Sequence, residues 1–134
     1  MDHNLQPAKS IQNILIVDDE ENARIGLSAL LSAEGYLVES AGDGVEALAC
    51  LQGGDYQLVI TDINMPRMNG MVFLDQLCQK HPQLDVIMMT AFGGVDSYVE
   101  AMKQGVYEYL HKPVKLDDLR SIMHKLALER AHLA

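Results

Sequence analysis

Five short apolar runs, each followed by a stretch with helical spacing, constrain this 134-residue chain more than any other feature. The runs are NILIV (13–17), YLVES (36–40), YQLVIT (56–61), LDVIMMT (84–90) and VYEYLHKP (106–113). NILIV is β-branched and almost wholly apolar, the composition of a strand covered on both faces. The segment EENARIGLSALLSAEG places Ala23, Leu27, Leu30 and Leu31 on one helical face and stops at Gly35. DGVEALACLQGG puts Val45, Leu48, Ala49 and Gln52 on one side and stops at Gly53-Gly54. MVFLDQLCQKHP ends before Pro82, because the residue ahead of a proline is pushed out of the helical region. VDSYVEAMKQG supplies a fourth helix. VKLDDLRSIMHKLALERAHLA supplies a fifth, with Leu116, Leu119, Ile122, Met123 and Leu126 on its apolar face.

Strands alternating with helices imply parallel strands joined by right-handed crossovers, with helices on both faces of the sheet. Five units are too few for an eight-fold barrel. The fold class is therefore α/β: a single doubly wound (βα)5 domain, flavodoxin-like, with a parallel five-stranded sheet. The expected strand order is 2-1-3-4-5, the common five-strand case rather than something periodicity dictates. The expected limits are a flexible leader over 1–11, the domain over 12–131, and a tail or linker start at 132–134.

Composition narrows the function. Hydrophobic residues make up 49% and charged residues 22%, as in a globular domain. A net charge of −9 argues against direct nucleic acid binding by this segment, which would need a basic face. No apolar run approaches the ~20 residues of a membrane span. The N-terminal MDHNLQPAKSIQN has no apolar signal core, so a cytoplasmic location is expected. Cys50 and Cys78 match no metal or redox spacing and are expected to be buried free thiols. The five histidines share no ligand spacing.

In an open α/β sheet, ligands bind beyond the C-terminal ends of the strands. The first run ends in Asp18-Asp19, the third is followed by Asp62, the fourth ends in Thr90 and the fifth in Lys112-Pro113. The first and third strands are neighbours in the expected order, so three carboxylates converge with a lysine and a threonine beside them. Close carboxylates raise one another's pKa, and a divalent cation removes that conflict. Oxygen ligands without His or Cys suit Mg²⁺, with Mn²⁺ as a substitute. The same set suits phosphoryl transfer. A carboxylate can be the nucleophile, cations neutralise the transferring group, and a hydroxyl binds one of its oxygens. Asp62 stands alone in a turn and is the candidate nucleophile, while Asp18 and Asp19 are placed to hold the ion. Glu20 and Glu21 read as first-turn acids favoured by the helix dipole.

VDDE (17–20), DINMPRMNG (62–70), TAFGG (90–94) and YLHKP (109–113), in this order, resemble the receiver domain of two-component response regulators over about residues 12–131. Among receivers, the segment from Thr90 to Leu119 is most similar to those of enhancer-binding transcriptional activators. The resemblance implies that Asp62 is the phosphoacceptor and that Asp19 binds Mg²⁺ directly. It implies that Asp18 acts through water and that the backbone carbonyl of Asn64 is a further ligand. It makes Lys112 the partner of the phosphoryl group, with a cis bond to Pro113, and Thr90 and Tyr109 the switch pair. The implied donor is a sensor histidine kinase, and the implied output is transcription regulation in a longer protein. Such a receiver is a signalling protein that catalyses only its own phosphorylation and dephosphorylation. Phosphorylation-coupled homodimer formation through the 95–130 surface is a further expectation. The side chain of Asn64 reads as a turn residue, and Arg67 and Met68 as either kinase contacts or solvated residues.

Three other functions compete. A degenerate receiver would be an interaction module independent of phosphorylation; the filled chemical positions argue against it. An aspartyl-phosphate phosphatase of the haloacid dehalogenase type wants a second acid where this chain has Asn64. A flavodoxin-type electron carrier needs a phosphate-binding loop after the first strand, and DDEEN would repel a phosphate.

Overall fold

A computed structural model describes residues 10–65, 67–91 and 95–132, and the side chains of all these except 95–97. The elements run β1 (Asn13–Val17), α1 (Glu21–Ala33), β2 (Leu37–Ala41), α2 (Gly44–Gly53), β3 (Leu58–Asp62), α3 (Gly70–Lys80), β4 (Asp85–Thr90), α4 (Val95–Lys103), β5 (Glu108–His111) and α5 (Leu116–His132). The sheet is parallel, in the order β2-β1-β3-β4-β5.

The period-two alternation of strand side chains divides the core into two layers. Leu15, Val17, Val59 and Met88 face one side, where they meet Ala47, Phe73, Leu77 and Ala101 of α2, α3 and α4. Ile14, Ile16, Ile60 and Ile87 face the other, against Leu31 of α1 and Leu119, Met123 and Leu126 of α5. Residues Ile14 to Val17 are wholly buried, which accounts for the continuous apolar run of β1. At the edge, β2 is mostly exposed and correspondingly more polar.

Local signals set the helix ends. After α1, Gly35 takes φ +99°, and the Gly35 and Tyr36 amides donate to the Ser32 and Leu31 carbonyls. This is a Schellman stop, which a side chain at Gly35 would strain. Asp43 caps α2, its Oδ1 accepting from the Glu46 amide at 2.8 Å, while Glu46 Oε2 accepts from the Gly42 amide. Asp43→Ala should cost about 1 kcal/mol of unfolding free energy in a denaturant titration.

Helix faces differ from expectation in places. In α2 the buried residues are Gly44, Ala47 and Leu51, while Val45, Ala49 and Gln52 are exposed and only Leu48 of the expected face packs inward. Apolar residues surround most of this helix, so no polar face fixes its phase. In α1, Leu31 is buried and Ala23 and Leu27 are half-buried, but Leu30 is 40% exposed. Cys78, expected to be buried, is exposed and donates to the Gln104 carbonyl; Cys50 is half-buried. In α5 the buried stripe runs on to Arg130, whose Nη1 lies 2.5 Å from Asp85 Oδ2 at the start of β4. None of the described helices is long and apolar enough to cross a membrane.

Candidate phosphoryl-transfer site

Asp18 directly follows β1, and its amide donates to the Ala41 carbonyl of β2. Asp62 closes β3 and Thr90 closes β4. Lys112 follows β5, its amide donating to the Thr90 carbonyl at 2.8 Å. The parallel pairing of β1, β3, β4 and β5 thus delivers these side chains to one end of the sheet. Asp18, Asp62 and Thr90 are buried, and Asp19 is exposed.

The two buried acids have matching bonds. Asp18 Oδ1 accepts from the Glu20 amide at 3.0 Å, and Asp62 Oδ1 accepts from the Asn64 amide at 2.9 Å. Each carboxylate is oriented by the backbone two residues further on, as aspartates in turns commonly are. Their Oδ2 atoms converge on Lys112 Nζ, which donates to Asp18 at 2.6 Å and to Asp62 at 2.7 Å. Burial pulls the Lys112 pKa down, but the hydrogen bonds and charges of Asp18 and Asp62 outweigh it, and the net shift is upward. The ammonium is therefore firmly charged at neutral pH.

Asp18, Asp19 and Asp62 offer one carboxylate oxygen each, all within 4.8 Å of one another. Oxygens this close together could be reached by a single hard cation, directly or through a bound water. The all-oxygen donor set and the open, exposed side at Asp19 fit a hard cation that keeps several waters.

Several features lay beyond the sequence reading. Asn64 is more than a turn residue: its Nδ2 donates to Thr90 Oγ1 at 3.2 Å. Because Asp62 pairs with Met89, the chain just past β3 lies over the end of β4. Arg24, in α1, reaches back so that Nη1 donates to the Asp18 carbonyl at 2.6 Å. Its only sequence signal is being the first cation after four acids. Arg67 takes φ +65° and pairs with Asp43 at 3.3 Å, and Met68 is half-buried against the core. Pro66 and the Phe92-Gly93-Gly94 part of the loop after Thr90 lie outside the described residues. The Lys112–Pro113 peptide bond is cis. Tyr109, in β5, is buried, with its ring edge-on to those of Tyr98 and His111.

Gly70 holds the loop after Asp62 in place. Its amide donates to the Ile63 carbonyl at 2.8 Å. A Cβ there would overlap the Ile63 backbone, with the carbonyl oxygen 2.7 Å away. Neither partner is a flexible side-chain end, so Gly70→Ala should destabilise by roughly 2–3 kcal/mol in denaturant.

A doubly wound α/β domain with an acidic, lysine-bridged cluster at its strand ends narrows the class to which the chain can belong. The model of the response regulator receiver domain matches residues 14–124, and the chain belongs to that family. It is 36% identical over 121 residues to the transcriptional regulatory protein ZraR of Escherichia coli O157:H7, covering 90% of this chain and 27% of that protein. It is 35% identical over 112 residues to the DNA-binding transcriptional regulator NtrC of Salmonella typhimurium, covering 84% of this chain and 24% of that one. The chain thus spans about a quarter of the length of these curated relatives. Among solved structures, a CheY-like receiver domain protein of Methanospirillum hungatei superimposes with a TM-score of 0.88 at 30% identity, covering 93% of this chain and all of that one. NtrX of Brucella abortus, in complex with ATP, gives a TM-score of 0.81 at 35% identity over 90% of this chain and 28% of that one.

Proposed function

We propose that the chain is a phosphoacceptor module that takes a phosphoryl group from a phosphohistidine of a sensor kinase onto Asp62. The observation that carries this reading is Lys112 Nζ seated between Asp18 and Asp62 at 2.6 and 2.7 Å, at the strand ends. An Asp62 carboxylate oxygen attacks phosphorus, the phosphorus–nitrogen bond of the donor breaks, and the imidazole nitrogen leaves with the electron pair. Lys112 stays within reach of the developing charge, a fixed cation of the kind that stabilises phosphoryl transfer. Thr90 Oγ1 supplies a hydroxyl on the Asn64 side of the site.

Asp19, Asp62 and the Asn64 backbone carbonyl would hold Mg²⁺, with Asp18 acting through water. The ion supplies charge neutralisation and a template for the phosphoryl oxygens. Phosphorylation adds about −1.5 to −2 charge at Asp62, and Thr90 and Tyr109 relay that change to the surface formed by α4, β5 and α5. Tyr98, Val99, Met102 and Leu128 are exposed apolar residues in α4 and α5 and support this surface as a homodimer contact. The output is control of transcription by a longer protein, a reading supported by the names of the curated relatives.

Incubation with acetyl phosphate followed by intact-mass measurement tests the reading. A single phosphoryl adduct should form with Mg²⁺, be absent in chelator and be released by hydroxylamine. Folded protein that binds Mg²⁺ yet acquires no adduct, either here or from a panel of sensor kinases, would favour the phosphorylation-independent interaction module.

A further inference from the structure

Strand β5 carries two rings on one face, because Tyr109 and His111 are two residues apart. Tyr109 belongs to the core layer beneath α3 and α4, together with Val86, Met88, Ala101 and Val106. Ala101 is wholly buried and anchors α4 there. Tyr98 lies three residues earlier, so it shares that helix face one turn nearer the N-terminus. Its ring meets Tyr109 edge-on, with centroids 5.5 Å apart and planes at 82°. On the same strand, the His111 ring meets that of Tyr109 at 5.8 Å and 68°. Tyr109 is 6% exposed and Tyr98 44% exposed, so Tyr98 is the outer ring that closes over the inner one.

We propose that Tyr98 is a positioning residue for the switch: its ring holds Tyr109 in the buried orientation and makes the seating of α4 and the rotation of Tyr109 one event. The proposal rests on the reading of Tyr109 as a switch residue. The simpler alternative is that Tyr98 is only an apolar cover on an amphipathic helix. The two differ in what they require. A cover needs area, which leucine supplies. Edge-to-face packing needs a ring, because the positive edge of one ring must meet the negative face of the other. Such a pair biases an equilibrium by roughly 2- to 10-fold. The Tyr98 hydroxyl is not needed for it.

The test is NMR of the whole chain grown with ring-¹³C tyrosine, in which each of the five tyrosines gives its own set of ring signals. Tyr109→Phe assigns the Tyr109 signal. A soluble gadolinium chelate reports its exposure, and Mg²⁺ with beryllofluoride serves as the phosphoryl mimic. In the wild type the Tyr109 signal should be protected and should shift with beryllofluoride. Tyr98→Phe should preserve both properties. Tyr98→Leu should raise the outward population of Tyr109 by roughly 2- to 10-fold, seen as greater relaxation by the chelate, and should weaken the beryllofluoride shift. Tyr98→Leu indistinguishable from wild type, or Tyr98→Phe as disruptive as leucine, would overturn the role given to the Tyr98 ring and leave the switch reading intact. A wild-type Tyr109 signal that ignores beryllofluoride would overturn both. Tyr98 is half-exposed, so these variants remain folded and the comparison holds.

Discussion

Asp62→Asn should take up no phosphoryl group from acetyl phosphate under conditions that label the wild type fully. The amide nitrogen of asparagine has its lone pair delocalised and is no nucleophile, whereas a carboxylate oxygen is one. The loss should be chemical rather than structural. Asparagine keeps an oxygen for the Asn64 amide, which lies 2.9 Å from Asp62 Oδ1. Lys112 keeps Asp18 as its partner at 2.6 Å. One of three crowded negative charges also disappears, which favours the fold where no cation screens them. The melting curve in chelator should therefore remain cooperative and near that of the wild type. Peptide mapping checks the assignment. An adduct of unchanged yield on Asp18 or Asp19 in the variant would remove Asp62 from its place as acceptor.

Lys112→Met should act in opposite directions on two measurements. In chelator the variant should lose about 3 kcal/mol of stability, because removing one partner of a mostly buried ion cluster leaves the rest uncompensated. That is the low end for such a loss, since the Lys112 side chain is 21% exposed and water screens part of it. Mg²⁺ affinity should rise, since the ammonium no longer competes for Asp18 and Asp62. Stabilisation by added Mg²⁺ should consequently be larger in the variant than in the wild type. Phosphorylation by acetyl phosphate should nonetheless slow by about 10²-fold or more, the usual effect of losing one preorganised donor at a transferring group. The pH dependence has a definite sign. The Lys112 pKa is raised in the folded protein, so its contribution is complete below the ordinary lysine range and is lost as pH climbs through the raised value. The stability gap between wild type and variant should hold across neutral pH and close only in strongly alkaline solution. Titration calorimetry with Mg²⁺ and melting curves at several pH values would decide the matter. Equal Mg²⁺ affinity in the two proteins would mean that the lysine and the ion do not share oxygens.

The strands were legible because a strand buried on both faces must be apolar throughout, and β1, β3 and β4 show this directly. Their C-terminal residues were legible for the complementary reason: Asp18, Asp62, Thr90 and Lys112 are polar side chains placed where apolar runs stop. Side-chain direction on helices was less so. The face of α2 was misplaced by a residue or two, because Val45, Ala47, Leu48, Ala49 and Leu51 leave little contrast around the helix. Contacts that depend on tertiary approach left no periodic trace. Arg24 on Asp18, Asn64 on Thr90 and Arg130 on Asp85 join residues 6, 26 and 45 positions apart. Each uses a polar residue that, read alone, belongs to a surface or a turn.

The last of these contacts divides the molecule by distance. β4 begins at Asp85, bound to the final turns of α5 through Arg130, and ends at Thr90 beside the acids. Six residues of strand separate the two ends by roughly 17 Å. A polypeptide joined to α5 would therefore set out from the pole of the sheet remote from Asp62. A phosphate donor arriving at the acids and an effector tethered to the helix would work from opposite ends of one strand, with neither standing in the other's way.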